Sequence, residues 1–349
     1  MMTDEQSILD WGGEALHIYR DEIADAWIII AVHSTRRGPS AGGIRMKHYL
    51  GLQEAIQDAM KLSAAMTMKF ATVRMSWGGG KTVVYLTRPL DVASREALLL
   101  RLGLHIKNLG GQYYAGPDIG TSSEDMDVLH EVAAPYIFSR TPATGGSGSS
   151  SIPTAYGVFA AIQATCRQIF GEADVSGKSI LIQGMGNVGR FLAQLLHEAG
   201  ASILFSETNP ALVAELSETT DYRWVAPEHL FDTPCDIFSP CAQGGILDHS
   251  TISGLRCKGI AGAANNQLLH PERDADLLRE CNILYAPDFV ANLGGAMGIT
   301  LMEAEGMEYE AAMLRVQTAI GTALDGIFRL AGELEIDTLD AAERWVGKS

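Results

Sequence analysis

The chain has 349 residues, 47% of them apolar, and sets 26 basic against 42 acidic side chains for a formal net charge of −16. At ~100–200 residues per domain this length predicts two domains. The charge excludes nucleic acid and anionic membrane as partners where no basic patch exists, and Arg36-Arg37 is a lone basic pair suited to a solvated loop tip. No run approaches the ~20 consecutive apolar residues of a membrane span. The acidic, polar start MMTDEQSILD is unlike a secretory leader, so a cytoplasmic location is expected. Five scattered cysteines without a CxxC pair predict free, buried thiols and no metal site.

In chain order, Trp27 to Val32 (WIIIAV) reads as a buried strand, and so near the N-terminus it is a candidate sheet edge in need of a partner chain. A turn around Gly38-Pro39 precedes a helix over Leu52 to Met66, whose Met residues face a core. The stretch WGGGKTVV is not a phosphate loop: the glycine such a loop needs six places before its lysine is Met75, and Thr82 to Leu86 is a strand rather than a helix. A helix over about Val92 to Leu109, a Gly-broken loop from Ala115 to Gly120 and a helix from about Ser123 follow. Thr141 to Pro153 (TPATGGSGSSSIP) is linker-like and divides the chain into residues 1–140 and 141–319, the helical remainder from about 320 to 349 packing back on the first part. Short apolar strands alternate with helices beyond the linker, which predicts a doubly wound parallel sheet of Rossmann type within a two-domain α/β protein.

That sheet carries a nucleotide signature. Ser179 to Gln183 reads as a strand, Gly184-Met185-Gly186-Asn187-Val188-Gly189 as a tight turn opening a helix, and Glu207 ends the next strand 23 positions after Gly184. Gly184 permits the turn, Gly186 lets a pyrophosphate approach the backbone, and Gly189 lets the helix lie close to the strand. A carboxylate at Glu207 accepts from a ribose 2′-hydroxyl and repels a 2′-phosphate, so NAD is favoured over NADP.

Only eight of the basic residues are lysines, and two of them sit in apolar or Gly-rich settings. Lys69 ends an apolar helix, and Lys81 follows three glycines that would let a ligand approach the backbone. Desolvation and a cationic neighbour both lower a lysine's pKa, which would make Lys81 a general base, with Asp118 as proton relay. The residues alone leave equally open a solvent-reaching Lys69, a capping Lys81 and a turn-forming Asp118.

The blocks GPSAGGIRM, MTMK, GGGKTVV, GPDIGTSSEDMD, IPTAYGV, IQGMGNVG, AGAANNQL and APDFVANLGG occur in this order between Gly38 and Gly295. Taken together the chain resembles the glutamate, leucine, phenylalanine, valine and tryptophan dehydrogenases. The resemblance implies an N-terminal substrate and oligomerisation domain and an NAD domain, hinged at the linker over a cleft. It implies that Lys69, the Gly42-Gly43 backbone and an asparagine from Asn265-Asn266 hold the substrate carboxylate. Lys81 would be the base, and Asp118 would exchange protons with the amino group. Ser150 and Thr154 would meet the nicotinamide end, with Ala242, Gln243, Ala263 and Ala264 along the ribose. Ala41, Gly116, Ala291 and Ala296 would line a side-chain pocket roomy enough for a bulky apolar amino acid, and no further lysine is placed for a glutamate side chain. Pro117 stands where many relatives are acidic and would re-aim Asp118. The implied activity is NAD-dependent oxidative deamination of a leucine-, phenylalanine- or tryptophan-class amino acid by a homo-oligomer. The alternatives are a hydroxy-acid dehydrogenase, which needs a His–carboxylate pair, and a non-catalytic NAD-binding homologue.

Overall fold

Alternate side chains of the N-terminal strands face two different helical layers, which fixes the architecture of the first half. In the computed structural model, which describes residues 5–347, one unit holds the described residues up to Ser149 together with Ile299–Gly306, and a second holds Ser150–Gly298 with the residues from Met307 on. The first unit runs α1 (Glu5–Trp11), β1 (Ala15–Asp21), β2 (Ala26–Val32), β3 (Ser40–Lys47), α2 (Leu52–Thr72), β4 (Gly78–Leu86), α3 (Val92–Asn108), β5 (Tyr113–Pro117) and α4 (Ser123–Ala133). Its mixed sheet has the order β1-β2-β4-β3-β5. Ile28, Ile30, Val32, Ile44, Met46 and Val84 face α3 and α4. Ile29, Ala31 and Val83 face α2 through Ala55, Ile56, Ala59 and Met60. Each such buried isoleucine, valine or methionine stabilises by ~1.5–3 kcal/mol.

Three expectations change here. The apolar run from Trp27 lies inside the sheet as β2, between antiparallel β1 and β4, and β1 is the edge; continuous hydrophobicity reflects burial on both faces. The turn around Gly38-Pro39 is followed by an unexpected strand, β3, and β5 takes in the first three residues of the Gly-broken loop; their glycines and proline hide their strand character. The three glycines before Lys81 are buried within β4 rather than open to a ligand. A Cβ on Gly79 would fall 2.1 Å from the Thr67 nitrogen and 2.4 Å from the Ser63 oxygen of α2, and one on Gly80 would fall 2.6 Å from the Tyr113 ring. They admit the helix and a tyrosine, not a substrate.

The linker-like segment is held in place rather than loose. Thr141 donates to Asp127 through its N–H (3.0 Å) and hydroxyl (2.7 Å), and the Thr144 hydroxyl donates to the same carboxylate at 2.6 Å. The N–H groups of Ser139 (3.0 Å) and Ser147 (2.8 Å) donate to Glu303 Oε1. The division between the units accordingly falls at Ser149/Ser150, after the anchored stretch.

The second unit comprises α5 (Ser151–Phe170), β6 (Ser179–Gln183), α6 (Asn187–Glu198), β7 (Ser202–Ser206), α7 (Pro210–Thr219), β8 (Arg223–Trp224), β9 (Ile237–Pro240), α8 (His249–Gly254), β10 (Gly259–Ile260), α9 (Pro271–Glu280), β11 (Leu284–Tyr285), α10 (Asp288–Ala291), α11 (Gly294–Glu303, entering the first unit at Ile299), α12 (Tyr309–Leu334) and α13 (Thr338–Gly347). Its sheet is parallel throughout, in the order β11-β10-β9-β6-β7-β8. α8 and α9 cover one face through Ile252, Ala275 and Leu278. α5 covers the other, where a Cβ on Gly259 would strike Thr165 and Ile169. The strand order reverses between β6 and β9, the topological switch point of a doubly wound fold. The closing helices group with this unit, not with the first as expected of residues 320–349. Glycine explains why: Gly157 of α5 has no Cβ, and the space one would need is taken by Ile320 of α12 at 2.8 Å.

The thiols are unpaired as expected, but only Cys166 is buried; Cys281 is exposed and the other three are half-buried.

Candidate active site

Residues of odd number on β4 and β3, and of even number on β5, point to the sheet face that α2 partly covers. Lys81 on β4 is therefore turned to the same side as Gly43 on β3 and Gly116 on β5, and Asp118 follows β5 on that side. The Lys81 ammonium lies 2.7 Å from Asp118 Oδ2, with the lysine side chain 7% exposed. A Cβ on Gly43 would sit 2.8 Å from Asp118 Cβ and 3.1 Å from Lys81 Nζ, so only glycine leaves room for this pair.

The loop that carries Asp118 is locked to β3. The Asp118 N–H donates to Thr121 Oγ1 (3.0 Å), whose hydroxyl donates to the Ile44 carbonyl (2.8 Å). The Met46 N–H donates to the Ile119 carbonyl (2.8 Å), and Arg95 Nη2 donates to that of Gly120 (2.6 Å). Gly120 has φ +83°, and a Cβ there would strike the Met46 carbonyl at 1.8 Å. Pro117 pairs with Ile44 at the end of β5 and does not turn Asp118 away from Lys81.

A third charge, absent from the sequence reading, completes the cluster. Arg45 Nε lies 3.0 Å from Asp118 Oδ2, its Nη1 lies 3.1 Å from Asp58 Oδ2 on α2, and the Tyr49 hydroxyl donates to that oxygen at 2.6 Å. Burial pushes the Lys81 ammonium well down, and the touching Asp118 restores only part of this, so its pKa lies below the ordinary lysine value. Burial also raises the Asp118 carboxyl, but the Lys81 and Arg45 cations outweigh that and hold it at about 2.

The Asp118 shift has a sign that can be measured. A carboxyl depressed in the folded state stabilises fully above its unfolded value of ~3.9, and the contribution is lost as the pH falls through about 2, amounting to roughly 2 kcal/mol. Between pH 5 and pH 2 the wild type should therefore lose about 1–2 kcal/mol more unfolding free energy than Asp118→Asn, measured by urea titration at each pH.

Beside the charges the face is bare. Ala41 is buried, Gly43 and Gly116 carry no side chain, and a Cβ on Gly116 would meet only Phe138, at 3.9 Å. Tyr114 bounds this floor. Its ring lies 5.2 Å from those of both Trp77 and Phe138 and 5.3 Å from Tyr136, with Trp77 and Phe138 buried behind it. The Gly42 carbonyl accepts from the Tyr113 hydroxyl at 3.1 Å. Lys69 is half-buried in the last turn of α2.

The remaining predicted residues gather in the second unit at the carboxyl ends of its strands. A Cβ on Gly184, after β6, would fall 2.5 Å from Ala242 Cβ, after β9, so the fingerprint turn and the Ala242-Gln243 loop meet at the switch point. The Ala264 N–H donates to the Pro240 carbonyl (2.9 Å), drawing Ala263-Ala264 alongside. Gly186 caps α6 with no side-chain acceptor, and a Cβ on it would meet nothing within 4 Å. Gly189 is different, because a Cβ there would lie 2.1 Å from the Gly184 carbonyl. Glu207 is fixed by accepting the N–H groups of Met185 (2.9 Å), Thr208 (2.7 Å) and Asn209 (2.9 Å). Burial raises its carboxyl, these donors outweigh the effect, and its pKa lies below the ordinary glutamate value. Ser150 and Thr154 abut Gly295, whose Cβ would fall 2.5 Å from Thr154 Oγ1.

The segments 20–134 match the family model described as the Glu/Leu/Phe/Val dehydrogenase dimerisation domain, and 145–208 with 205–315 match that of the glutamate/leucine/phenylalanine/valine dehydrogenases. Leucine dehydrogenase of Thermoactinomyces intermedius is 38% identical over 95% of this chain and 89% of its own. Phenylalanine dehydrogenase of the same organism is 36% identical over 99% and 93%. The chain belongs to this amino-acid dehydrogenase family. The crystal structure of L-tryptophan dehydrogenase from Nostoc punctiforme is similar with a TM-score of 0.86, at 30% identity over 98% of this chain and 97% of that one.

Within this dehydrogenase chain the first unit brings together Lys81, Asp118, Gly43, Gly116 and Ala41. The second unites the fingerprint with Glu207 and the Ala242 and Ala263 loops. Asn265 and Asn266 separate in role: Asn265 Oδ1 accepts from Asn292 Nδ2 at 2.8 Å, whereas Asn266 takes a positive φ of 52° and supplies its carbonyl to Gly245. Ala291 is buried beside Asn292, and Ala296 is half-buried in α11. Sequence reading missed Arg45, Asp58, Tyr49, Tyr114 and Asn292. The available signal was parity: counting by two from Gly43 reaches Arg45, and counting back by two from Gly116 reaches Tyr114.

Proposed function

We propose that this chain catalyses NAD-dependent oxidative deamination of a bulky hydrophobic L-amino acid to its 2-oxo acid with release of ammonia, and the reverse reductive amination. The observation that carries this reading is the buried Lys81 amine against Asp118 at 2.7 Å, beside a floor of glycine and alanine. A base whose burial favours the neutral amine is what hydration of an iminium carbon requires. The dinucleotide fits the second unit on two counts: α6 begins uncapped at Gly186 with open space before it, and Glu207 stands as a fixed anion where the second strand ends. That anion, and the uncharged Thr208 and Asn209 after it, favour NAD over NADP.

When bound, the nicotinamide supplies the acceptor for the hydride that leaves the substrate Cα with both bonding electrons. The protein's part is acid–base. Neutral Lys81 takes a proton from water as its oxygen bonds to the iminium carbon. Asp118, itself a carboxylate, relays that proton from the Lys81 ammonium to the nitrogen of the resulting carbinolamine, and Lys81 then takes the hydroxyl proton as the C–N bond breaks, the carbonyl forms and ammonia leaves. Lys69, the Gly42-Gly43 backbone and Asn265 orient the substrate carboxylate. Ser150, Thr154, Ala242, Gln243, Ala263 and Ala264 position the cofactor. Ala41 and Gly116, with Ala291 and Ala296, leave space for the side chain. In these roles the first unit supplies the acid–base pair and the second the dinucleotide turn. Homo-oligomerisation belongs to the same reading, supported by the edge strand β1 with Ile18 exposed and by the dimerisation-domain match. No helix among the described residues is long and apolar enough to cross a membrane.

Tyr114 favours a flat substrate. An aromatic edge against an aromatic ring is worth ~0.5–1.5 kcal/mol beyond area, so an aromatic 2-oxo acid should exceed a branched aliphatic one in kcat/KM by about 3–10-fold. The test is a panel of 2-oxo acids with NADH and ammonia, followed by cofactor absorbance. Tyr114→Leu should erase the preference. A panel that is silent with ammonia overturns the proposed activity.

A further inference from the structure

Lys81 and Arg45 converge on a single oxygen, Asp118 Oδ2, at 2.7 and 3.0 Å. Beyond it the charges continue to alternate: Arg45 Nη1 reaches Asp58 Oδ2 at 3.1 Å and Oδ1 at 3.4 Å, and the Tyr49 hydroxyl donates to Oδ2 at 2.6 Å. The Arg45 side chain is 17% exposed and that of Asp58 21%, so this is an interior row rather than a surface pair. Five segments contribute: Lys81 from β4, Arg45 from β3, Asp118 from the loop after β5, Asp58 from α2, and Tyr49 from the loop between β3 and α2.

This row resolves a conflict within the proposed chemistry, on which the following inference rests. A carboxylate touching a buried lysine favours the ammonium, which is the form that cannot act as a base. A second, permanent cation on the same oxygen cancels most of that field, and guanidinium remains charged at every accessible pH. We propose that Arg45 is a positioning residue that neutralises Asp118 and thereby frees Lys81 to release its proton, with Asp58 and Tyr49 holding the guanidinium in place. Arg45 touches no reacting atom in this role; it acts through Asp118.

Opposite charges in contact move a lysine's titration by about 1–3 pH units, so the loss of Arg45 is expected to show in the pH axis and not merely in rate. Full-length wild type, Arg45→Gln and Arg45→Lys would be compared in two ways. The first is the pH profile of kcat for deamination. In Arg45→Gln the acidic limb should move to higher pH by about one unit or more, with activity recovering at alkaline pH, while Arg45→Lys should keep its limb within about half a unit of wild type because the charge is retained. A uniform loss at all pH values, with the limb unmoved, would mean a merely structural arginine and overturn the proposal.

The second readout does not need turnover: the rate at which acetic anhydride labels Lys81 across pH, read by peptide mass spectrometry. Its midpoint should rise in Arg45→Gln and hold in Arg45→Lys. An unchanged midpoint overturns the role of Arg45 even if the enzyme is active. A raised midpoint in a chain that deaminates nothing supports Arg45 and refutes the activity. Should Arg45→Gln fail to fold, Arg45→Lys decides alone, since a limb and midpoint displaced as far as one unit despite the retained charge also overturn the proposal.

Discussion

Lys81→Ala is expected to lower turnover by about 10²–10⁴-fold, the usual contribution of a positioned general base, while cofactor affinity stays within about twofold, a change of under ~0.4 kcal/mol. The separation follows from location: Lys81 is on β4 of the first unit, and the dinucleotide fingerprint is in the second. Truncation also leaves Asp118 beside Arg45 alone, still paired at 3.0 Å, so the carboxylate is not stranded. The loss should fall on kcat more than on KM, because the lysine's proton transfer belongs to the transition state. Steady-state kinetics with calorimetric NAD titration check both halves. Turnover equal to wild type would remove Lys81 from the chemistry.

The second large effect distinguishes two glycines three residues apart. Gly186→Ala places a methyl where no protein atom lies within 4 Å, on a backbone with φ −68° that any residue adopts. Folding stability should change by less than ~0.5 kcal/mol, yet NAD affinity should fall by about 10–100-fold, since the methyl occupies the approach of the pyrophosphate to the helix N-terminus. Gly189→Ala inverts the pattern. Its methyl would lie 2.1 Å from the Gly184 carbonyl, so the helix must lift from the strand at a cost of about 1–3 kcal/mol, and affinity suffers only through the displaced turn. Thermal unfolding and NAD titration of the two variants should rank them in opposite orders.

The second unit was legible because its signals are local. Strand, GMGNVG turn, helix and acidic strand end occupy one short stretch of sequence, and each residue type there has a steric or electrostatic reason. The first unit was less so. Glycine in β3 and proline in β5 resemble loop residues, and only the completed sheet shows that Gly42 lies against the Gly80 carbonyl and that Gly43 makes room for Lys81 and Asp118. Arg45 reaches its partners across 13 and 73 positions, a separation at which periodicity carries no information. The linker's composition marked it as a hinge, and two remote carboxylates, Asp127 and Glu303, anchor it. Composition describes a segment's own preference and is silent about acceptors that the fold brings to it.

The close seating of α2 on Gly79 has a practical corollary for anyone who scans this chain by random mutagenesis. A screen scored on colour or growth will return substitutions at Gly79 beside those at Lys81, although the atoms nearest a Cβ on Gly79 belong to Ser63 and Thr67. Any side chain there levers away the helix that carries Asp58 and Lys69, so the hit is mechanical in origin. Soluble yield, tallied clone by clone, would sort the wedge from the missing base.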